Sequence, residues 1–270
     1  MAITVMEVLK SLPRTNCGDC GQATCLAFAT RVIKEGEDLR KCPHLNGAGT
    51  EISAAVQAQQ QAGIGRRRES VAISLEVLQE KVAPLDFAAL APGLGATYGE
   101  EAGRPYLSLA YFGFCLQVFK DELRYPPGAL ADPWDAILLY NYIASEGQAP
   151  VIGEWIAYNS LPNSVSKSKT LARLERQLAD HFAGQAAQLK ERVGQLSGET
   201  VAVGGEDADV QAVFLPLPRV PLLLLFWDAE AEEGFAAQAR FLFDASVTSY
   251  LDLEAMLFLV EHLMDRLMSD

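Results

Sequence analysis

Cys17, Cys20, Cys25 and Cys42 stand in the pattern C-x2-C-x4-C-x16-C, and Pro43 follows the last one directly. Four thiols within 26 residues constrain the first part of the chain more than any other feature. Short loops have to return four sulfur atoms to one place if they are to act together. Four cysteines typically hold a cuboidal [4Fe–4S] cluster. Zinc also accepts four thiolates, but its knuckles usually come as two well-separated C-x2-C pairs, and only one such pair is present. The C-x3-C-x2-C spacing of radical chemistry with S-adenosylmethionine is absent.

The residues around the cysteines have their own local logic. Thr4 and Glu7 form a T-x-x-E capping box, in which each side chain satisfies a free N–H at a helix start. Val5, Val8, Leu9 and Leu12 then fall on one helical face, and Pro13 ends the helix. Gly18 and Gly21 each follow a cysteine, where glycine lets the backbone take positive φ and turn its N–H groups toward sulfur. Thr24 is placed to cap a second helix from Cys25 to about Glu35, with Gly36 as its stop. That helix end favours thiolate at Cys25. Phe28, Ala29, Val32 and Ile33 continue its apolar face, which would shield a cluster from water.

The run Leu12-Pro13-Arg14-Thr15-Asn16-Cys17-Gly18-Asp19-Cys20-Gly21, then Cys25-Leu26-Ala27-Phe28-Ala29 and Cys42-Pro43, resembles a small [4Fe–4S] domain of two larger proteins. One is the large subunit of the corrinoid iron–sulfur protein of the acetyl-CoA pathway. The other is the B subunit of the Rnf ion-translocating ferredoxin oxidoreductase. The resemblance covers roughly residues 3–46. It implies a small helical module, a cluster that passes single electrons, and Cys17, Cys20, Cys25 and Cys42 as its ligands. A second set of ferredoxin cysteines and a corrinoid-binding motif are not present in the sequence.

Charge divides the chain unevenly. Residues 1–48 carry a net +1, so the remainder carries −14 of the total −13. An acidic body argues against nucleic-acid binding, which needs a basic footprint to neutralise phosphates. The longest apolar run, Leu222 to Trp227, falls far short of the roughly 20 residues that cross a bilayer. Met1 to Leu12 lacks the basic start and long apolar stretch of a secretory signal. Five cysteines, four of them in one motif, do not form a secreted disulfide framework. A reducing cytoplasm is the expected compartment.

Three parts are expected: a cluster-binding domain over 1–48, a linker over 49–69 and a larger domain over 70–270. The fold class expected is α+β, a small helical iron–sulfur domain followed by a mixed domain with a mostly antiparallel sheet. Glu51 to Ala62 reads as a helical stretch within the linker, and Arg66, Arg67 and Arg68 as a solvated helix start. Ser70 to Val82 reads as helix, and the Pro- and Gly-rich Ala83 to Gly103 as loop or short turns. Leu107, Leu109 and Tyr111 alternate as a strand, Gly113 marks a turn, and Leu116, Val118 and Leu123 continue toward Pro126. Cys115, within this region, is expected to be a buried free cysteine.

Asp132-Pro133-Trp134 opens a helix that stops at Gly147. Trp155 to Asn159 reads as aromatic core or pocket lining. Ser166 to Leu196 reads as one long amphipathic helix, with His181 as an ordinary histidine within it. Val210 to Leu215, Val220 to Trp227 and Ala237 to Asp244 read as strands. The second is continuously apolar, which suits a central strand buried on both faces. Asp228, Glu230, Glu232 and Glu233 read as a solvated loop without cation-site spacing. Asp252 to Met268 closes the chain as an amphipathic helix. The Trp155–Pro162, Pro218–Trp227 and Phe243–Tyr250 segments resemble an uncharacterised family that accompanies such cluster modules in anaerobic bacteria and archaea, which implies an α+β fold and no reaction.

Phosphate-binding loops, dinucleotide fingerprints, nucleophile elbows and H-E-x-x-H pairs are missing from the sequence. His44, His181 and His262 are widely separated. Three functions remain open on the residues alone. The first is accessory one-electron transfer with a redox partner protein. The second is an enzyme or cofactor-binding protein, corrinoid-associated by family, whose pocket lies in the C-terminal domain. The third is a binding or sensing module with a structural cluster or zinc.

Overall fold

The computed structural model describes residues 3–22, 24–34, 37–45, 52–56, 66–129, 132–205, 207–230 and 234–269. The chain divides into two compact units, Met1–Glu76 and Val77–Asp270. The division falls inside a helix, Arg66–Val82.

In the first unit, helix α1 (Val5–Ser11) starts at the expected capping box. The Thr4 N–H donates to the Glu7 carboxylate at 2.8 Å, and the Glu7 N–H donates back to Thr4 Oγ1 at 3.3 Å. Helix α2 (Cys25–Lys34) starts at Thr24, whose Oγ1 accepts the Ala27 N–H at 3.1 Å. Its expected stop, Gly36, lies outside the described residues. A 3-10 turn, Leu39–Lys41, is capped by Asp38. Residues 52–56 are helical, whereas the rest of the expected Gln/Ala-rich helix lies outside the described residues. Val8, Leu12, Phe28, Ala29, Val32, Leu39 and Val56 form one buried core together with Cys25 and Cys42. Two short helices bury little area, so these sulfur-bearing positions supply a substantial part of the module's interior.

The second unit is α+β, with two antiparallel sheets. One is a meander of β1 (Thr97–Glu101), β2 (Arg104–Tyr111), β3 (Phe114–Phe119) and β4 (Leu123–Arg124). Phe112 and Gly113 both take positive φ in the two-residue β2–β3 turn, as a primed hairpin turn requires. The other sheet has the order β5-β9-β8-β7-β6, with β5 Trp155–Ala157, β6 Glu199–Thr200, β7 Val210–Leu217, β8 Val220–Trp227 and β9 Gln238–Asp244. The continuously apolar β8 is its central strand, and Leu222 to Phe226 are wholly buried. Each such side chain contributes up to about 1.5–3 kcal/mol.

Helix α3 is the boundary-crossing Arg66–Val82, and the side chains of residues 66–73 lie outside those described. Residues 83–103, expected as loop, instead hold helix α4 (Phe87–Leu94) and strand β1. Asp86 caps α4, and Phe87, Leu90, Ala91 and Leu94 recur at helical spacing on its buried face. Pro92 misleads a reader of the sequence. It sits in the last turn of the helix, where Arg219 donates to Pro92 O at 3.1 Å and Gly93 O at 3.3 Å and so satisfies carbonyls at the helix end.

Helix α5 (Pro133–Ala144) is capped by Asp132, as expected. The single helix expected over 166–196 is two, α6 (Val165–Phe182) and α7 (Ala186–Gln195). Gly184 breaks it at φ +73°. Asp228, at the end of β8, accepts the Gly184 N–H at 2.6 Å and the Ala186 N–H at 3.0 Å, so a distant carboxylate caps α7. Burial pushes this carboxyl up, but its backbone N–H partners outweigh that and hold it below the usual range. Asp228→Ala should cost about 1–2 kcal/mol, read as a lowered urea midpoint at unchanged slope. An unchanged midpoint would show that the cap carries nothing. Helix α8 (Leu253–Met268) packs against α5, α6 and α7.

Candidate metal centre

The loop between α1 and α2 is turned back on itself by four residues of positive φ: Arg14 (58°), Asn16 (51°), Gly18 (82°) and Gly21 (79°). Asn16 Oδ1 then accepts the Cys25 N–H at 2.9 Å, and the Gly21 N–H donates to Gly18 O at 2.8 Å. These bonds hold Cys17 and Cys20 beside the start of α2. The 3-10 turn delivers Cys42, whose N–H donates to Leu39 O at 3.2 Å.

All four cysteines are free thiols, in three graded environments. Cys25 and Cys42 are buried, Cys20 is half-buried against the core, and Cys17 is exposed. Burial pushes the Cys42 thiol up, the His44 N–H opposes this, and the nearby Cys20, Cys25 and Cys17 thiols push it up further. Cys20, Cys25 and Cys17 thus all lie near enough to act on the Cys42 thiol. A sulfur-only donor set against apolar side chains suits a soft-metal centre, an iron–sulfur cluster or zinc. The residues fit such a group.

At the exposed side, His44 Nε2 lies 2.6 Å from Asp19 Oδ2. Among the described residues, Cys17, Asp19 and His44 bring their ligand atoms within 4.8 Å of one another. His44 and the Cys17 thiol, in that order of effect, hold the Asp19 carboxyl below its usual range. The sequence pattern singled out neither Asp19 nor His44 for this contact, because their separation of 25 residues has no periodic signature.

Other sequence expectations fare differently. Cys115 is exposed on β3, not buried, and pairs with Ser108 at 2.9 Å. Strand alternation turns its neighbour Leu116 into the core instead. Of the Trp155–Asn159 run, Tyr158 is buried and donates to Leu253 O at 2.8 Å, which is a core role. His181 is exposed against Phe182. Glu232 and Glu233 lie outside the described residues. A buried network escaped the sequence reading: Asp135 accepts from Tyr111 at 2.7 Å and Tyr125 at 3.0 Å. It ties the β2–β3 hairpin to the start of α5, with His262 Nε2 at 3.7 Å. Among the described residues, no helix is long and apolar enough to cross a membrane.

Comparison with known proteins finds matches in two separate parts of the chain. A family model described as "Putative Fe-S cluster" matches residues 12–44. The acetyl-CoA decarbonylase/synthase complex subunit gamma of Methanothermobacter thermautotrophicus is 49% identical over 47 residues, 17% of this chain and 10% of that protein. The corrinoid/iron-sulfur protein large subunit of Moorella thermoacetica is 41% identical over 58 residues, 22% of this chain and 13% of that protein. The chain thus spans only about a tenth of the length of these curated relatives. No solved structure matches. The N-terminal segment is an iron–sulfur domain. A second model, described as a domain of unknown function (DUF3786), matches residues 86–266, more than half of the chain, and the chain belongs to that family.

Proposed function

We propose that this protein is an accessory one-electron carrier holding one [4Fe–4S] cluster through Cys17, Cys20, Cys25 and Cys42. The observation that carries the reading is that Cys25 and Cys42 lie in a small apolar core with Cys20 packed against it, while Cys17 stands exposed at the loop before Cys20. When bound, the cluster would supply a one-electron couple. The chain's own contribution is to bury Cys25 and Cys42, to aim the His44 N–H at the Cys42 sulfur, and to leave one side open. Exposure and hydrogen bonds to sulfur tune such a couple. Residues 1–48 form the cluster module in this reading, 49–69 connect it, and 70–270 form an acidic body that docks a redox partner protein.

The membership of the gamma subunit in an acetyl-CoA decarbonylase/synthase complex supports a role beside a partner protein. The −14 carried after residue 48 favours a partner with a basic face, whose association should weaken as salt rises. Anaerobic purification is expected to give about four iron and four sulfide per chain and an EPR signal on reduction. Stoichiometric zinc without iron, or a cluster that no reductant changes, would sink the proposal.

A further inference from the structure

The four cysteines are not equivalent, and the exposed one has company. Cys25 and Cys42 are 6% and 5% exposed and belong to the core, with Cys20 packed against it. Cys17 sits outside that core. Its thiol donates to the Asp19 carboxylate, which itself meets His44 Nε2 at 2.6 Å. Three donor atoms of different chemistry therefore lie within 4.8 Å of one another at one corner of the module. They come from two stretches of chain, the Cys17–Cys20 loop and the segment after Cys42. Gly18 between Cys17 and Asp19 has open space around it, with nothing within 4 Å of where a Cβ would stand.

Carboxylate and imidazole are competent iron ligands, and clusters in which nitrogen donors replace thiolates on one iron are stable. A ligating carboxylate works best when a second group orients it. Asp19 already has such a group, since His44 Nε2 lies 2.6 Å from its Oδ2.

We propose that Cys17 is the exchangeable ligand of the cluster, and that Asp19, braced by His44, takes over the iron that Cys17 would hold. This rests on the four-cysteine reading above. In the exchange one Fe–S bond breaks and one Fe–O bond forms. The released thiolate takes a proton from water, the carboxylate enters already ionised, and no electron moves. The corner is thereby open to partners and to thiol reagents without loss of the cluster.

The test uses the full chain, purified anaerobically. Cys17→Ala is expected to keep about four iron per chain, with a reduction potential above that of the unaltered protein because an oxygen donor replaces a thiolate. Asp19→Ala alone keeps the cluster. Cys17→Ala combined with Asp19→Ala falls to three iron with a three-iron EPR signal, or loses iron altogether. Loss of iron from Cys17→Ala with Asp19 intact overturns the inference, as does retention of four iron in the double variant.

A second measurement needs no cysteine variant. Brief alkylation of the unaltered protein should modify Cys17 alone, as mapped by mass spectrometry, with the visible spectrum retained. The same treatment of Asp19→Ala should bleach it. Equal bleaching in both proteins overturns the inference. Unaltered protein that contains no iron at all would instead remove the cluster reading, so the two failures are distinguishable.

Discussion

Cys42→Ala is expected to purify with less than a tenth of the iron of the unaltered chain and to lose its visible charge-transfer spectrum. Cys42 is 5% exposed and packs with Cys25, Phe28, Val32 and Leu39. Among the described residues, no carboxylate or imidazole shares its donor group as Asp19 and His44 share that of Cys17. An alanine there leaves three thiols around a corner that water reaches poorly. The loss should extend to the fold of the module. Metal binding in a small domain is folding free energy, and two short helices with a 3-10 turn supply little buried area of their own. Hydrogen exchange of the amides in Val5–Ser11 and Cys25–Lys34 should accelerate strongly while the β8 amides stay protected. Full iron content in Cys42→Ala would exclude it as a ligand.

Asp244→Ala should destabilise the second unit by about 3–5 kcal/mol, since it strips a buried carboxylate from donors that nothing else can satisfy. Asp244 is wholly buried at the end of β9. It accepts the Ile152 N–H at 3.1 Å, the Gly153 N–H at 2.6 Å, the Ser246 N–H at 2.9 Å and the Ser246 hydroxyl at 2.6 Å. One side chain thus ties the approach to β5 and the turn after β9 together. Burial pushes its carboxyl up, but the Ser246, Ile152 and Gly153 donors outweigh burial and hold it below the usual 3.8.

The sign of the pH dependence follows from that depression. The unfolded chain binds the proton more readily than the folded one, so the stabilisation is fully present above the unfolded value. It is lost as pH falls through the folded one. Urea midpoints of the unaltered protein should fall steeply below about pH 4, and Asp244→Asn should flatten part of that fall. Identical acid profiles for the two proteins would show that another carboxylate sets the acid limit.

Much of this molecule is legible in the sequence where the interaction spans one helical turn or one strand. The Thr4–Glu7 box, Thr24 at the start of α2, Asp132 before α5 and Asp252 before α8 are such cases. The apolar run Val220–Trp227 likewise becomes the central strand, because burial on both faces demands it. Two of the misreadings share one cause, a decisive partner far along the chain. Asp228 splits the expected long helix from 44 residues beyond Gly184. Arg219 lets α4 end around Pro92 from over 120 residues away.

By itself the sequence determined that four thiols would be presented together, since C-x2-C-x4-C-x16-C with its glycines and caps is a local instruction. It determined as well that the larger part would be an α+β body with a buried central strand, because hydrophobic period is written residue by residue. Only the tertiary structure decided which sulfurs face the core and which faces water. It also decided that Asp19 and His44 meet beside Cys17, and that Cys115 points outward. Those outcomes depend on how loops close and on which face of an element finds a partner. Such free energies are summed over the whole packed unit and have no signature at any single position.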